Sequence, residues 1–320
     1  MKLRLSGVFV ALVTPINDVG RPDFAAFDRV IEFVVERGVD GVVIGGATAE
    51  YPHFDVSDRA ALAAHAVRRM AGRGRVVVCV GTSSIHSTLN LTKSAADSGC
   101  DALVLPMPSF FLYSQDDLVS YCETVCASVP VPFLLYNLPS FTNELAVPTA
   151  IRLLNEVPNL IGMKDSSGNT ADLKPLGDAR KRSDFSLFVG DDSLLLGALQ
   201  AGWDGVVSGI GCFVPELISA VYRSYRSGDE ALASAYQATL DALIEEVIRL
   251  PIPWGVRVGL DTRGIANGPL HLPPSPERFR QIDELRSWLG KWAEARGLRL
   301  DDVWKSIPLG RVDPAGHGAA

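Results

Sequence analysis

Leu160-Ile161-Gly162-Met163-Lys164-Asp165 is an apolar run that ends in a cation and a carboxylate. Upstream, Pro132-Phe133-Leu134-Leu135-Tyr136-Asn137 has the same form and also ends in polar residues. Between them, 148–155 reads as a helix. Two such runs joined through a helix are the unit of a parallel sheet, whose strands are buried on both faces and so lack polar alternation. Working outward, the same kind of run recurs at 7–16, 41–46, 76–81, 102–107, 185–190 and 205–209. That makes eight, with starts 20 to 35 residues apart. The intervening segments 24–36, 57–72, 86–98, 115–127, 170–181, 193–201 and 214–227 carry helical patterns. Several of these stop at glycine, as at Gly38, Gly99, Gly202 and Gly228, the residue that most readily takes the left-handed conformation after a helix.

Eight successive βα units close a barrel. The expected fold class is therefore α/β, a (β/α)8 TIM barrel over residues 1–227, with a doubly wound open sheet as the alternative. After Ser227 the pattern is helical alone, at 230–250, 254–260 and 276–295. It predicts a C-terminal helical extension over 228–310 packed on the barrel, and a loose tail at 311–320. A chain of 320 residues fits one such barrel plus an extension.

With 37 acidic and 30 basic residues the formal charge is −7, opposite in sign to a nucleic-acid-binding surface. No apolar stretch approaches the ~18 residues of a membrane span, and Met1 to Gly7 leads directly into strand-like sequence without a signal-peptide pattern. The five cysteines, Cys79, Cys100, Cys122, Cys126 and Cys212, form no CxxC pair. They read as reduced core thiols of a cytoplasmic protein.

In such barrels, reactive groups sit at the C-terminal ends of the strands. Lys164 occupies such an end. An ordinary lysine is free amine only to about one part in a few thousand at neutral pH, so desolvation there would make it a nucleophile towards a ketone. The alternative is a lysine that reaches solvent or pairs with Asp165. Tyr136 ends the neighbouring strand, where its hydroxyl could move protons or merely be satisfied in the core. Thr48 follows Gly45-Gly46, which lets amides and a hydroxyl approach an anion.

Gly46-Ala47-Thr48-Ala49-Glu50, Tyr136-Asn137-Leu138-Pro139 and Gly162-Met163-Lys164-Asp165 resemble, in order and spacing, the motifs of the dihydrodipicolinate synthase / N-acetylneuraminate lyase superfamily. Gly190-Asp191-Asp192 and Pro251-Ile252-Pro253 extend the resemblance, which runs from about Gly7 to Leu289. It implies class I aldolase chemistry without a cofactor or metal. Lys164 would form a Schiff base with C2 of a 2-oxo acid, and Tyr136 would relay a proton at the C4 oxygen. Thr48 and the amides of Ala47 and Thr48 would hold the carboxylate. Ser166, Asp192 and Ser208 are candidates for substrate hydroxyls, with Val207 beside them. Phe110, Phe111 and Phe141 would form an apolar wall. The resemblance also implies a homotetramer or homodimer acting on a small 2-oxo acid, away from nucleic acid and membranes.

The departures narrow the expectation. Ala47 replaces a hydroxyl residue of the family motif and Ala49 a glycine. Phe141 stands where dihydrodipicolinate synthases carry an arginine for the second substrate's carboxylate, and Phe110 where they carry a second tyrosine. The expected activity is cleavage or formation of a C–C bond in a 2-oxo acid, of the 4-hydroxy-2-oxoglutarate or 2-keto-3-deoxy sugar acid type, with pyruvate as product or donor. Three enzyme alternatives are a sugar acid dehydratase using the same imine, a synthase in which Arg257 or Arg263 replaces the missing arginine, and a metal-dependent lyase using Glu50, His53, His86, Asp191 and Asp192. A 2-oxo acid sensor is the non-enzyme alternative.

Overall fold

All eight apolar runs are strands, and each hydrogen-bonds in parallel to the next: β1 (Gly7–Ala11), β2 (Gly41–Ile44), β3 (Arg75–Cys79), β4 (Ala102–Pro106), β5 (Phe133–Asn137), β6 (Leu160–Asp165), β7 (Ser186–Val189) and β8 (Gly205–Ser208). β8 returns to β1 in the register Gly7↔Gly205 to Val10↔Ser208, which closes the barrel. The backbones meet so closely at this seam that a Cβ on Gly205 would lie 2.0 Å from the Gly7 carbonyl oxygen. Only glycine fits there. The computed structural model describes residues 3–181 and 184–294. The end of the expected extension and the tail at 311–320 lie outside the described residues.

The helices follow their strands as α1 (Phe24–Val35), α2 (Val56–Met70), α3 (Ile85–Asp97), α4 (Gln115–Cys126), α5 (Val147–Glu156), α6 (Thr170–Arg180), α7 (Leu195–Gln200) and α8 (Pro215–Arg226). Their ends are set locally. The Asp23 carboxylate accepts from the Ala26 amide at the start of α1, and Ser114 and Asp117 form a reciprocal capping box at the start of α4; such caps satisfy amides left without helical partners. Beyond the barrel run α9 (Glu230–Val247), α10 (Trp254–Thr262) and α11 (Pro276–Glu294), with α9 against α7 and α8, and α10 against α11. The expected strand 7–16 ends early, at Ala11. The Leu12 amide still donates to the Val43 carbonyl, but Pro15 has no N–H to continue the ladder.

Two apolar layers result. Phe9, Ala11, Val43, Val77, Cys79, Val104, Leu134, Tyr136, Phe188 and Val207 share one cluster, in which Phe9 and Phe188 meet edge to face with centroids 5.2 Å apart. The alternate strand residues pack with the helices in the larger cluster, as the pleat requires. The barrel is thus filled below, and reactive groups are confined to its mouth. Among the described residues, no helix is long and apolar enough to cross a membrane.

Candidate active site

Tyr136 and Lys164 are direct register partners on β5 and β6. The lysine Nζ stands 4.1 Å from the centre of the tyrosine ring. Lys164 is only 5% exposed, and among the described residues no carboxylate lies within ion-pair distance of it. The reading in which Lys164 pairs with Asp165 therefore fails. Asp165 accepts instead from Asn137 Nδ2 at 2.9 Å, Ser167 Oγ at 2.6 Å and the Ser167 amide at 2.9 Å. Room for the lysine stem comes from Gly190, where a Cβ would lie 2.7 Å from Lys164 Cε and 2.0 Å from Ser166 Oγ.

These side chains open into a cavity of about 640 Å³ at the mouth of the barrel. Ala47, Thr48, Tyr136, Phe141, Lys164, Ser166, Asp192 and Val207 all line it. Thr48 sits in a single 3-10 turn, Ala47–Ala49, entered through Gly45 at φ +71° and left through Glu50 at φ +55°. Glu50 is held in this left-handed conformation from across the molecule: Arg257 Nη1 of α10 donates to its carboxylate at 2.8 Å. The same guanidinium donates to Asn267 Oδ1 at 2.7 Å, the Asn267 carbonyl at 2.7 Å and the Pro269 carbonyl at 2.6 Å.

Three expected residues do not reach the cavity. Phe110 is 93% exposed at φ +76° and meets Phe111 edge to face. Its loop is pinned away from the mouth by Asn143, whose Nδ2 donates to the carbonyls of Pro108 (2.7 Å) and Phe111 (2.8 Å) and whose Oδ1 accepts from the Tyr113 amide (2.8 Å). Ser208 alternates with the inward Val207 along β8 and so faces outward. It is fully buried, and its Oγ accepts from the Gly211 amide at 2.7 Å. Phe111 is likewise outside the cavity. The apolar wall is built by Leu138, Ile244, Ile248, Ile252 and Val256.

Asp192 is buried, hydrogen-bonded to Ser208 and the Ile210 amide, and burial pushes its carboxyl up to about 7. Its Oδ1 has no partner. Arg257 and Arg263, the candidate replacements for the missing arginine, are spent elsewhere, Arg257 on Glu50 and Arg263 on Glu216 at 2.8 Å. The residues named for a metal-dependent lyase are scattered: Glu50 is bound to Arg257, and His53 stacks on His271 with centroids 4.4 Å apart. Among the described residues, no three histidine, cysteine, aspartate or glutamate side chains are spaced to hold a metal. All five cysteines are buried free thiols.

Sequence reasoning missed the wall supplied by α9 and its C-cap, Ile248, where Asp241, Ile244, Glu245 and Ile248 line the cavity. Their i, i+3, i+4, i+7 spacing was the available signal, since it places them on one helix face.

The sequence model of the dihydrodipicolinate synthetase family matches residues 4–289. The chain belongs to that family. It is 30% identical over 275 residues to the 4-hydroxy-tetrahydrodipicolinate synthase of Bacillus subtilis (strain 168), covering 86% of this chain and 94% of that protein. The corresponding synthase of Laribacter hongkongensis is 32% identical, covering 82% and 91%. Among solved structures, dihydrodipicolinate synthase from Aquifex aeolicus superposes with a TM-score of 0.85 at 28% identity, covering 93% of this chain and all of that one. YagE, a prophage protein of the same family from E. coli K12 solved with pyruvate, gives 0.84 at 27% identity, covering 90% and 98%. Members of the dihydrodipicolinate synthetase family are lyase-type enzymes on a TIM barrel, and this chain is one of them.

Proposed function

We propose that this chain is a Schiff-base lyase that cleaves or forms a C–C bond in a 2-oxo acid, with pyruvate as product or donor. One observation carries the reading: Lys164 is buried, has no carboxylate partner among the described residues, and stands 4.1 Å from the Tyr136 ring at the floor of a 640 Å³ cavity. The Lys164 amine attacks C2 of the bound 2-oxo acid and water leaves, giving an iminium. In the cleavage direction Tyr136 takes the proton of the C4 hydroxyl, the C3–C4 bond breaks, and its electron pair passes into the iminium to leave an enamine and an aldehyde. Protonation at C3 and addition of water then release pyruvate and the free amine. Thr48, with the amides of the turn around it, holds the C1 carboxylate; Ser166 and Asp192 face the rest of the chain.

The presence of pyruvate in the related YagE structure supports this reading. Synthesis of dihydrodipicolinate is disfavoured, because Phe141 lines the cavity where that reaction needs a cation and both Arg257 and Arg263 are already paired. We also infer that the chain acts in the cytoplasm as a homotetramer or homodimer.

The test offers 2-keto-3-deoxy sugar acids and 4-hydroxy-2-oxoglutarate to the enzyme and follows pyruvate through lactate dehydrogenase. Pyruvate should appear together with an equal amount of aldehyde, and Lys164→Ala should reduce release to background. Loss of substrate to a dehydrated 2-oxo product, without aldehyde, would replace C–C cleavage by dehydration. Turnover that survives Lys164→Ala would defeat the imine altogether.

A further inference from the structure

The cavity is electrostatically lopsided. Asp191 and Asp192 reach it from the turn after β7, and Asp241 and Glu245 from α9. Against these four carboxyl groups, Lys164 is the one lysine, arginine or histidine lining it among the described residues, and it lies at the floor. Among the described residues, none of the four carboxyl groups has a cationic side chain within ion-pair distance, whereas the buried Glu50 and Glu216 are each tied to arginine. Among the described residues, Asp241 accepts a neutral amide hydrogen, from Gln237 Nε2 at 2.8 Å. Asp192, just 7% exposed, keeps one carboxyl oxygen without any partner. Carboxylate oxygens are acceptors, so Asp191, Asp241 and Glu245 line this wall with acceptors and repel anions. The same cavity is lined by the apolar side chains of Ile244, Ile248, Ile252 and Val256. Such a lining, part acceptor and part apolar, matches a polyol chain, whose O–H groups donate while its C–H faces pack.

We propose that the cavity selects 2-oxo acids whose far end is neutral and polyhydroxylated, and rejects those with a second carboxylate, with Asp241 and Glu245 as specificity-determining residues. The proposal rests on the Schiff-base reading, in which Lys164 and Thr48 hold the keto acid end and direct the tail towards α9. A tail carboxylate would be brought among like charges that no cationic side chain of the described residues compensates, which discriminates by about 10²-fold or more.

The experiment compares kcat/KM for a six-carbon 2-keto-3-deoxy sugar acid with that for 4-hydroxy-2-oxoglutarate, since both yield pyruvate. The wild-type enzyme should favour the sugar acid by about 10²-fold or more. The double variant Asp241→Asn, Glu245→Gln should bring the ratio within about tenfold, chiefly by lowering KM for the dianion, and raised salt should narrow it in the wild type through screening. Wild-type enzyme that cleaves the dianion as well as the sugar acid, or a ratio the double variant does not move, would overturn the proposal. Borohydride trapping of pyruvate on the wild type separates the two levels. An imine on Lys164 with no preference for the sugar acid removes only the selectivity, whereas no imine removes the underlying reading with it.

Discussion

Lys164 and Tyr136 owe their partnership to register alone: adjacent parallel strands place their last inward residues side by side. Replacing Tyr136 by Phe keeps the ring beneath the ammonium and removes only the proton-carrying hydroxyl. Imine formation should survive while turnover drops about 10²-fold or more, the usual scale for general acid–base work. Turnover within a few-fold of wild type would make Tyr136 a packing residue. Asp192 makes a second prediction at this scale. Burial raises its carboxyl from 3.8 to about 7, so between those values the folded chain holds a proton that the unfolded chain has released. Stability is therefore lost as pH rises from about 4 to about 7 and then levels. The advantage of Asp192→Asn over wild type in thermal unfolding should grow from pH 5 to pH 8; a difference flat with pH would contradict it. That Lys164, Tyr136 and Thr48 line one cavity was legible because a strand end or a double glycine marks each one. Phe110 and Ser208 were misplaced because position in sequence fixes neither the path of a loop pinned by Asn143 nor which face of β8 turns inward.

Elements were legible from their periods. Continuous apolar runs gave the strands, 3.6-residue spacing and glycine stops gave the helices, and the number of repeats gave closure. What held the carboxylate-binding turn in place was not legible, because Glu50 and Arg257 are 207 residues apart. In the structure, α10 acts as a strap over that turn. Arg257→Met would leave Glu50 buried without its counter-charge, and breaking such a pair costs about 3–5 kcal/mol. Denaturant unfolding should show a loss of that size, and adding Glu50→Gln to Arg257→Met should recover a substantial part. A loss below about 1 kcal/mol in the single variant, small even for an exposed ion pair, would mean that the strap bears little on stability. The role of α9 went unread for a related reason: a face that is half acidic and half apolar looks like an ordinary surface helix until the cavity beneath it is seen.

At the scale of the molecule, several of the exposed large apolar side chains among the described residues gather on one loop region. Phe110, Phe111 and Leu112 project from the segment after β4, and Phe141 lies on the neighbouring loop, tied to it through Asn143. Contiguous apolar surface of this kind marks an interaction site and fits the proposed homo-oligomer. Light scattering should return a multiple of the 34.4 kDa chain mass, reduced to one chain by the double substitution Phe110→Asp, Leu112→Asp. A wild-type monomer at micromolar concentration would contradict the proposed assembly.

Everything about the chemistry depends on one covalent bond. The most direct test incubates the wild-type protein with pyruvate and borohydride, digests it and locates the reduced adduct by mass spectrometry. The expected result is a single modified residue, Lys164, formed only when pyruvate is present. An adduct on another lysine, or none at saturating pyruvate, would contradict Schiff-base catalysis by this enzyme.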